Sequence, residues 1–365
     1  MEKTGETSSD FLEAHEIDDL FTLSESKDVD VEVDKLLAYY RVHGFPDYEI
    51  GADDVAREFH KLQRFDERTI FHDGEIGQSM LGCGILWKWF PHWKEVLCGN
   101  QKSSIIEMWN DDDALRKLLK KTYLWKLRHG ERIWNANRIR QNAKVFLAGQ
   151  SVSNFRPTVA KYIYNRFGGD SVFDMSCGYG GRFFGFCAST CRRYEGCDPC
   201  TKTYNGLVAM GEEMEPLMDG KEFVFHKSGS EVFIPDCEGR FDLCFTSPPY
   251  FNTEKYSDEE TQSWRKYDAF DGWCDGFLRR TIENCWQYLK DDGFMIINIA
   301  DTPSVKGLES NTMRMAVETG FHHLDTYKMV LSSVAGKGKK FEPVFIFGKN
   351  RLDMPDEKKS QLVLF

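Results

Sequence analysis

The stretch Val172-Phe173-Asp174-Met175-Ser176-Cys177-Gly178-Tyr179-Gly180-Gly181-Arg182 is the point from which the rest of the chain can be read. An apolar run ends in an acid, turns through closely spaced glycines and enters a segment rich in small residues (Gly185, Ala188, Ser189). Glycines at such a turn permit positive φ and let a ligand approach the backbone. A second apolar run ends in Glu195-Gly196-Cys197-Asp198-Pro199, which puts Asp198 24 residues after Asp174. An acid at that place can accept hydrogen bonds from both hydroxyls of a ribose. The glycine pattern is GxGG and not the GxGxxG of dinucleotide sites, so a strand-to-helix turn needed only for packing would explain Gly178 and Gly180, but it explains Asp198 less well.

Outward from this unit, short apolar runs alternate with helical patterns. Strands are expected at Val172–Met175, Tyr194–Cys197, Phe223–His226, Phe241–Phe245, Phe294–Ile299, Leu324–Leu331 and Val344–Phe347. Such alternation predicts a parallel, doubly wound α/β sheet. Only the Gly and Lys loop Ala335–Lys340 separates the last two strands, so they should pair as an antiparallel hairpin at the end of that sheet. Two further segments flank the glycine unit. Ser228-Gly229-Ser230-Glu231 follows the third strand, where Ser230 and Glu231 are candidate contacts to a bound ring or, equally, a helix cap. Asn154-Phe155-Arg156-Pro157-Thr158 leads into a helix with Pro157 at its first position, whose free amides suit a carboxylate.

The fourth strand runs straight into a different kind of motif, Phe241-Asp242-Leu243-Cys244-Phe245-Thr246-Ser247-Pro248-Pro249-Tyr250. Two prolines forbid strand continuation and stiffen the backbone, so that carbonyls can be aimed at one small group. An ordinary strand-ending turn is the bland alternative. The polar, aromatic segment Phe251–Tyr267 that follows could form a lid.

With Asp174 before the glycine loop and Asp198 after the second strand, the chain resembles the Rossmann-like methyltransferases, whose loop wraps the methionine part of S-adenosylmethionine. The tetrad Ser247-Pro248-Pro249-Tyr250 resembles the fourth motif of the DNA amino-methyltransferases, and its Ser form resembles the cytosine N4 subgroup. The resemblance covers roughly Ser153 to Lys349. Its order, Asn-Phe-Arg-Pro helix, glycine loop and then the tetrad, departs from most cytosine N4 enzymes, in which the tetrad precedes the loop. The resemblance implies S-adenosylmethionine as cofactor, held by Phe155, Arg156, Pro157, Thr158, Asp174, Ser176, Cys177, Gly178, Gly180, Asp198, Ser230, Glu231 and Thr246. It implies that Ser247 and the carbonyl beside Pro248 accept hydrogen bonds from an exocyclic amine and localise its lone pair, with Pro249 stiffening the turn. Tyr250 would stack on a base flipped from double-stranded DNA. Cytosine N4 is the first expectation and adenine N6 the second. An RNA or protein amine methyltransferase and a non-catalytic DNA-binding protein of the same fold stay open beside them.

The composition fits this reading once charge is located. The 365 residues carry 47 Lys plus Arg against 58 Asp plus Glu, a net charge of −11 with 41% hydrophobic residues, which is globular and neither fibrous nor disordered. Residues 1–34 hold twelve acids and two lysines, leaving the other 331 residues near −1. The acidity therefore excludes no polyanionic partner for the body. Between Arg116 and Lys144 ten bases and one acid, Glu131, interleave with Tyr123, Trp125 and Trp134, either a solvated helical face or a phosphate footprint. The expected organisation is an acidic tail over 1–34 with a short helix near Phe11–Leu23, a mostly helical accessory and DNA-contact region over 35–150, the methyltransferase domain over 151–352 and a tail over 353–365. No run reaches the roughly 18 apolar residues of a membrane span and no secretory leader is evident, so a cytoplasmic protein of prokaryotic or viral origin is expected. Eleven cysteines in apolar or Gly-rich settings read as reduced thiols. The string Cys187, Cys191, Cys197, Cys200 has a zinc-like look, but ligation would pull the cofactor strand apart, and no metal is expected.

Overall fold

The computed structural model describes residues 28–77, 79–131, 134–147, 151–235, 239–334, 338–350 and 354–355. The helix expected near Phe11–Leu23 and nearly all of the C-terminal tail lie outside these. In chain order the helices are α1 (Val29–His43), α2 (Ala52–Arg64), α3 (Ile105–Asn110), α4 (Asp112–Arg128), α5 (Ala136–Asn142) and α6 (Pro157–Phe167). They continue with α7 (Gly181–Cys187), α8 (Thr201–Met214), α9 (Ser263–Lys266), α10 (Phe270–Trp273), α11 (Arg280–Tyr288) and α12 (Leu308–Thr319). The strands are β1 (Phe71–His72), β2 (Glu75–Ile76), β3 (Leu97–Cys98), β4 (Ser171–Asp174), β5 (Arg193–Cys197) and β6 (Glu222–His226). After these come β7 (Phe241–Thr246), β8 (Glu254–Lys255), β9 (Leu289–Asn298), β10 (His322–Val334) and β11 (Gly338–Gly348).

The chain divides into two units, one of residues 1–55, 90–153 and 254–256, the other of 56–89, 154–253 and 257–365. In the second unit nine strands form one sheet in the order β1-β2-β10-β11-β9-β7-β4-β5-β6. β6, β5, β4, β7 and β9 are mutually parallel, while β11 runs antiparallel to both β9 and β10. That is a Rossmann-like methyltransferase sheet with its antiparallel C-terminal hairpin. β4 is wholly buried, as expected of a parallel strand covered on both faces. Phe173, Cys244, Met295 and Ile297 point to one face, where Trp273, Ile282, Cys285 and Met315 cover them. Phe245 and Phe294 point to the other, where they meet Tyr164 and Phe167 of α6.

Three expectations need correction here. The terminal hairpin is not the edge of the sheet, because β2 pairs in parallel with β10 and β1 lies beyond it. The segment 56–89 falls in the second unit with the nine-stranded sheet and not with the first. Its physical tie is Lys161 of α6, whose buried ammonium donates to the carbonyls of Leu62, Gln63 and Phe65 at 3.1, 3.0 and 2.7 Å and so closes the end of α2. Nor does the acidic tail run to residue 34, since α1 starts at Val29 behind an Asp28 cap and buries Val33 and Leu36.

The first unit is built on α1 and α4, joined by aromatic packing around Tyr40, Trp109 and Trp134 and by a 2.9 Å hydrogen bond from Trp134 Nε1 to Tyr40 Oη. Much of the basic stretch is consumed internally. Lys126 is buried against Glu131 at 2.7 Å, and buried Arg140 donates to the Pro46 carbonyl at 2.9 Å. Lys144 lies over the Trp93 ring, where burial pushes its ammonium down to about 8. Arg116 and Lys120 pair with Asp34 and Asp30 of α1. Lys117, Lys121 and Arg128 lie along the exposed side of α4. The footprint available to a polyanion is thus much smaller than the charge count. Among the described residues no helix is long and apolar enough to cross a membrane, and no cluster of His, Cys, Asp or Glu is arranged to hold a metal ion.

Candidate active site

The strand ends assemble the site. β4 pairs with β5 on one side and β7 on the other, so the chain leaving β4 emerges where the strand order reverses, the usual crevice of an open α/β sheet. Gly178 and Gly180 have φ of +55° and +71°, left-handed values that a side chain would disfavour. Gly181 opens α7 against the Phe155 carbonyl, whose oxygen an added Cβ would overlap. The Asn154–Thr158 segment is thereby pressed onto the loop, and the Phe155 ring meets Phe245 of β7 at 5.4 Å.

Asp198 is buried at the end of β5. Its Oδ2 accepts from the Gly178 amide and its Oδ1 from the Cys200 amide, both at 3.0 Å. Burial pushes its carboxyl up to about 7 against these two hydrogen bonds, which favour the charged form. Asp174 is tied into the loop itself. Its Oδ2 accepts from Arg182 Nε at 2.8 Å and Tyr194 Oη at 2.7 Å, and its Oδ1 from the Ser176 amide at 3.2 Å. It is 1% exposed, and these three contacts hold the shape of the loop. Burial opposes the charge on Arg182, but Asp174 outweighs it and holds the guanidinium above its ordinary pKa. Arg182→Met strands a buried carboxylate and should cost about 3–5 kcal/mol, read as a lowered thermal midpoint. A midpoint within a degree or two of wild type would show that the pair is dispensable.

Arg156 reaches across to β10. Its guanidinium donates to the backbone carbonyls of Val330 and Leu331 in β10, the latter at 2.8 Å, so it anchors the start of α6 to the sheet. Ser230 is turned away, its Oγ on Thr281 Oγ1 at 2.8 Å. Glu231 is half engaged: one oxygen pairs with Lys266 at 2.5 Å and the other is buried without a partner. The Cys177 thiol is buried beneath Tyr194 Oη at 3.5 Å, leaving only its backbone toward the loop, and Ser176 Oγ donates to the Met175 carbonyl. Pro157 occupies the first turn of α6.

The segment after the tetrad is fastened on the cofactor side. Glu259 accepts from the Thr201 amide at 3.0 Å and from its hydroxyl at 2.8 Å, capping α8 directly after Asp198. Lys266 makes the Glu231 pair. Phe251, at φ +56°, turns the chain sharply behind Tyr250.

At the tetrad, Ser247 Oγ donates to Asn298 Oδ1 at 3.2 Å, and Asn298 Nδ2 donates to the Pro343 carbonyl at 3.0 Å. Tyr250 Oη donates to Glu342 Oε2 at 3.3 Å. Burial raises the Glu342 carboxyl pKa, while hydrogen bonds from Tyr250 and Asn298 pull it back down. Asn298 and Glu342 were not among the candidates. A lone Asn in the apolar run Phe294–Ile299 was a readable signal for the first, whereas the second depends on strand register.

The residues present fit S-adenosylmethionine. Both side-chain polar atoms of Asn154, the hydroxyl of Thr158 and the hydroxyl of Thr246 are buried without partners, as groups that await a polar ligand would be. At the start of α6 Pro157 has no N–H and the Val159 and Ala160 amides donate to the Arg156 carbonyl, while the Asp198 oxygens have lone pairs left for hydroxyls.

A family model matches part of the chain. Residues 241–362 match the family model of DNA methylase, of the N6 and N4 type. No curated protein is similar enough to count as a match. Among solved structures, the chain is similar to a TehB-like S-adenosylmethionine-dependent methyltransferase from Corynebacterium glutamicum (15% identity, 59% of this chain and 97% of that one, TM-score 0.36). It is similar as well to a methyltransferase from Pyrococcus furiosus (15% identity, 56% of this chain and 92% of that one, TM-score 0.36). A third similarity, to the [4+2]-cyclase SpnF, has 13% identity and a TM-score of 0.35, covers 47% of this chain and spans 60% of the cyclase's own length. The family match thus covers residues 241–362, about a third of the chain, and includes the tetrad that ends β7, which supports a place among the DNA amino-methyltransferases for that part.

Proposed function

We propose that the protein methylates the exocyclic amino group of a base in DNA, cytosine N4 first and adenine N6 second. The observation that carries the proposal is the position of Ser247-Pro248-Pro249-Tyr250 at the end of β7, beside the glycine loop that leaves β4. The bound cofactor supplies a methyl group already activated by a positive sulfur. What remains for the chain is positioning and electrostatics. Ser247 Oγ and the carbonyl beside Pro248 accept the two amine hydrogens, which turns the nitrogen lone pair out of conjugation. Tyr250 stacks on the base, offsetting part of the few kcal/mol needed to take it out of a duplex. Thr158, Thr246 and the backbone of Ser176, Cys177, Gly178 and Gly180 hold the cofactor, with Asp198 on its ribose and the free oxygen of Glu231 toward its ring. The exposed bases of α4, Lys117, Lys121 and Arg128, contact phosphates.

Purified protein incubated with labelled cofactor and mixed-sequence DNA, followed by digestion to nucleosides, tests this. Methylcytosine labelled at N4 is the expected product. Methyladenine would reassign the base, preferential labelling of competing RNA would reassign the substrate, and no labelled nucleoside would overturn the proposal.

The carboxyl of Asp198 gives this reading a pH signature. Ribose hydroxyls donate best to an ionised carboxylate, and burial holds Asp198 protonated up to about 7. Cofactor affinity should therefore rise as pH increases through 7, with proton release on binding at pH 6 that disappears by pH 8.5. Calorimetry in buffers of different ionisation enthalpy measures it, and equal proton release at both pH values would contradict the assignment.

A further inference from the structure

We infer that Asn298, backed by Glu342, is a positioning residue that fixes the hydrogen-bond polarity of Ser247 so that its lone pairs face the substrate amine; this rests on the proposed function of the tetrad. The Pro343 carbonyl can only accept, and it lies 3.0 Å from the Asn298 side chain, so the amide must present its NH2 group there. Its oxygen is then directed at Ser247, 3.2 Å away. An amide oxygen also only accepts, which obliges the Ser247 hydroxyl to give its proton to Asn298. Both serine lone pairs are left for the incoming N–H groups. A serine free to rotate could instead donate toward the amine nitrogen and occupy the lone pair that must react.

Two features make the arrangement rigid. Asn298 is 1% exposed, so water cannot readily substitute for its partners. The Glu342 carboxylate accepts from the same Asn298 amide and from Tyr250 Oη, tying the serine and the stacking ring to one anchor on β11. Neighbouring strand register places these groups together, with Thr246 opposite Ile297 and Asn298 opposite Val344.

The test is a double-mutant cycle on single-turnover methylation of DNA, with thermal midpoint and cofactor affinity measured for each protein. Asn298→Leu should lower the methyl-transfer rate roughly 10- to 100-fold in the wild-type background, with cofactor affinity within about threefold, and Asn298→Asp, which still accepts from Ser247 but no longer donates to Pro343, should lower it less. In the Ser247→Ala background neither change should lower the residual rate further, because no hydroxyl remains to orient. Glu342→Leu should slow transfer, and Glu342→Gln, which keeps an acceptor oxygen, should restore most of it. Equal losses in both serine backgrounds, or unchanged rates in both Asn298 variants, would overturn the inference while leaving the tetrad's function standing. Wild-type protein that methylates no DNA would remove both, and that outcome is visible in the unmutated arm alone.

Discussion

Asp198→Ala is expected to weaken S-adenosylmethionine binding by roughly 100-fold or more. Two hydroxyl hydrogen bonds to a charged acceptor contribute about 1.5–3 kcal/mol each, and each 1.4 kcal/mol is tenfold in affinity. The loss has a second source, since Asp198 also holds the Gly178 and Cys200 amides and thus the shape of the loop and the start of α8. Asp198→Asn separates the two: its amide retains one acceptor oxygen, so it should fall between wild type and alanine. Titration calorimetry of the folded variants decides, and an affinity within threefold of wild type for Asp198→Ala would remove this residue from the cofactor site.

Ser247→Ala should lower methyl transfer by roughly 10- to 100-fold while cofactor affinity stays within about twofold. A hydrogen bond from an amine that becomes positively charged as it reacts contributes about 1.5–3 kcal/mol, and 1.36 kcal/mol is a decade of rate. Tyr250→Ala should act elsewhere, raising the DNA concentration needed for half-maximal rate through lost stacking of about 1–3 kcal/mol. Rapid-mixing kinetics at saturating cofactor distinguishes the two effects. A serine variant with an unchanged transfer rate would leave the tetrad as a turn and nothing more.

The corrections share a cause. Arg156 and Asp174 carry the right chemistry at the right spacing, yet their side chains are engaged within the fold, one by carbonyls more than 170 residues away in β10 and the other by Arg182 and Tyr194. The basic stretch behaves in the same way: Lys126 and Arg140 are charges in the sequence but are buried in the fold, and Lys144 is half-buried over the Trp93 ring. Asn298 and Glu342 went unnoticed for the converse reason. Neither belongs to a motif, and they meet Ser247 and Tyr250 only because β7, β9 and β11 lie side by side.

By itself the sequence determined the alternation of strands and helices, the glycine loop, the acid ending the second strand and the tetrad ending the fourth. These are local features: hydrophobic period, positive-φ glycines and strand-stopping prolines act over a few residues, and a chain read in order displays them. Only the tertiary structure decided which polar groups remain unspent, that β2 and β1 extend the sheet past its terminal hairpin, and that Asn298 orients Ser247. Whether a charge or a lone pair is available depends on burial and on partners distant in the chain, and those are properties of pairs of residues that no single segment carries.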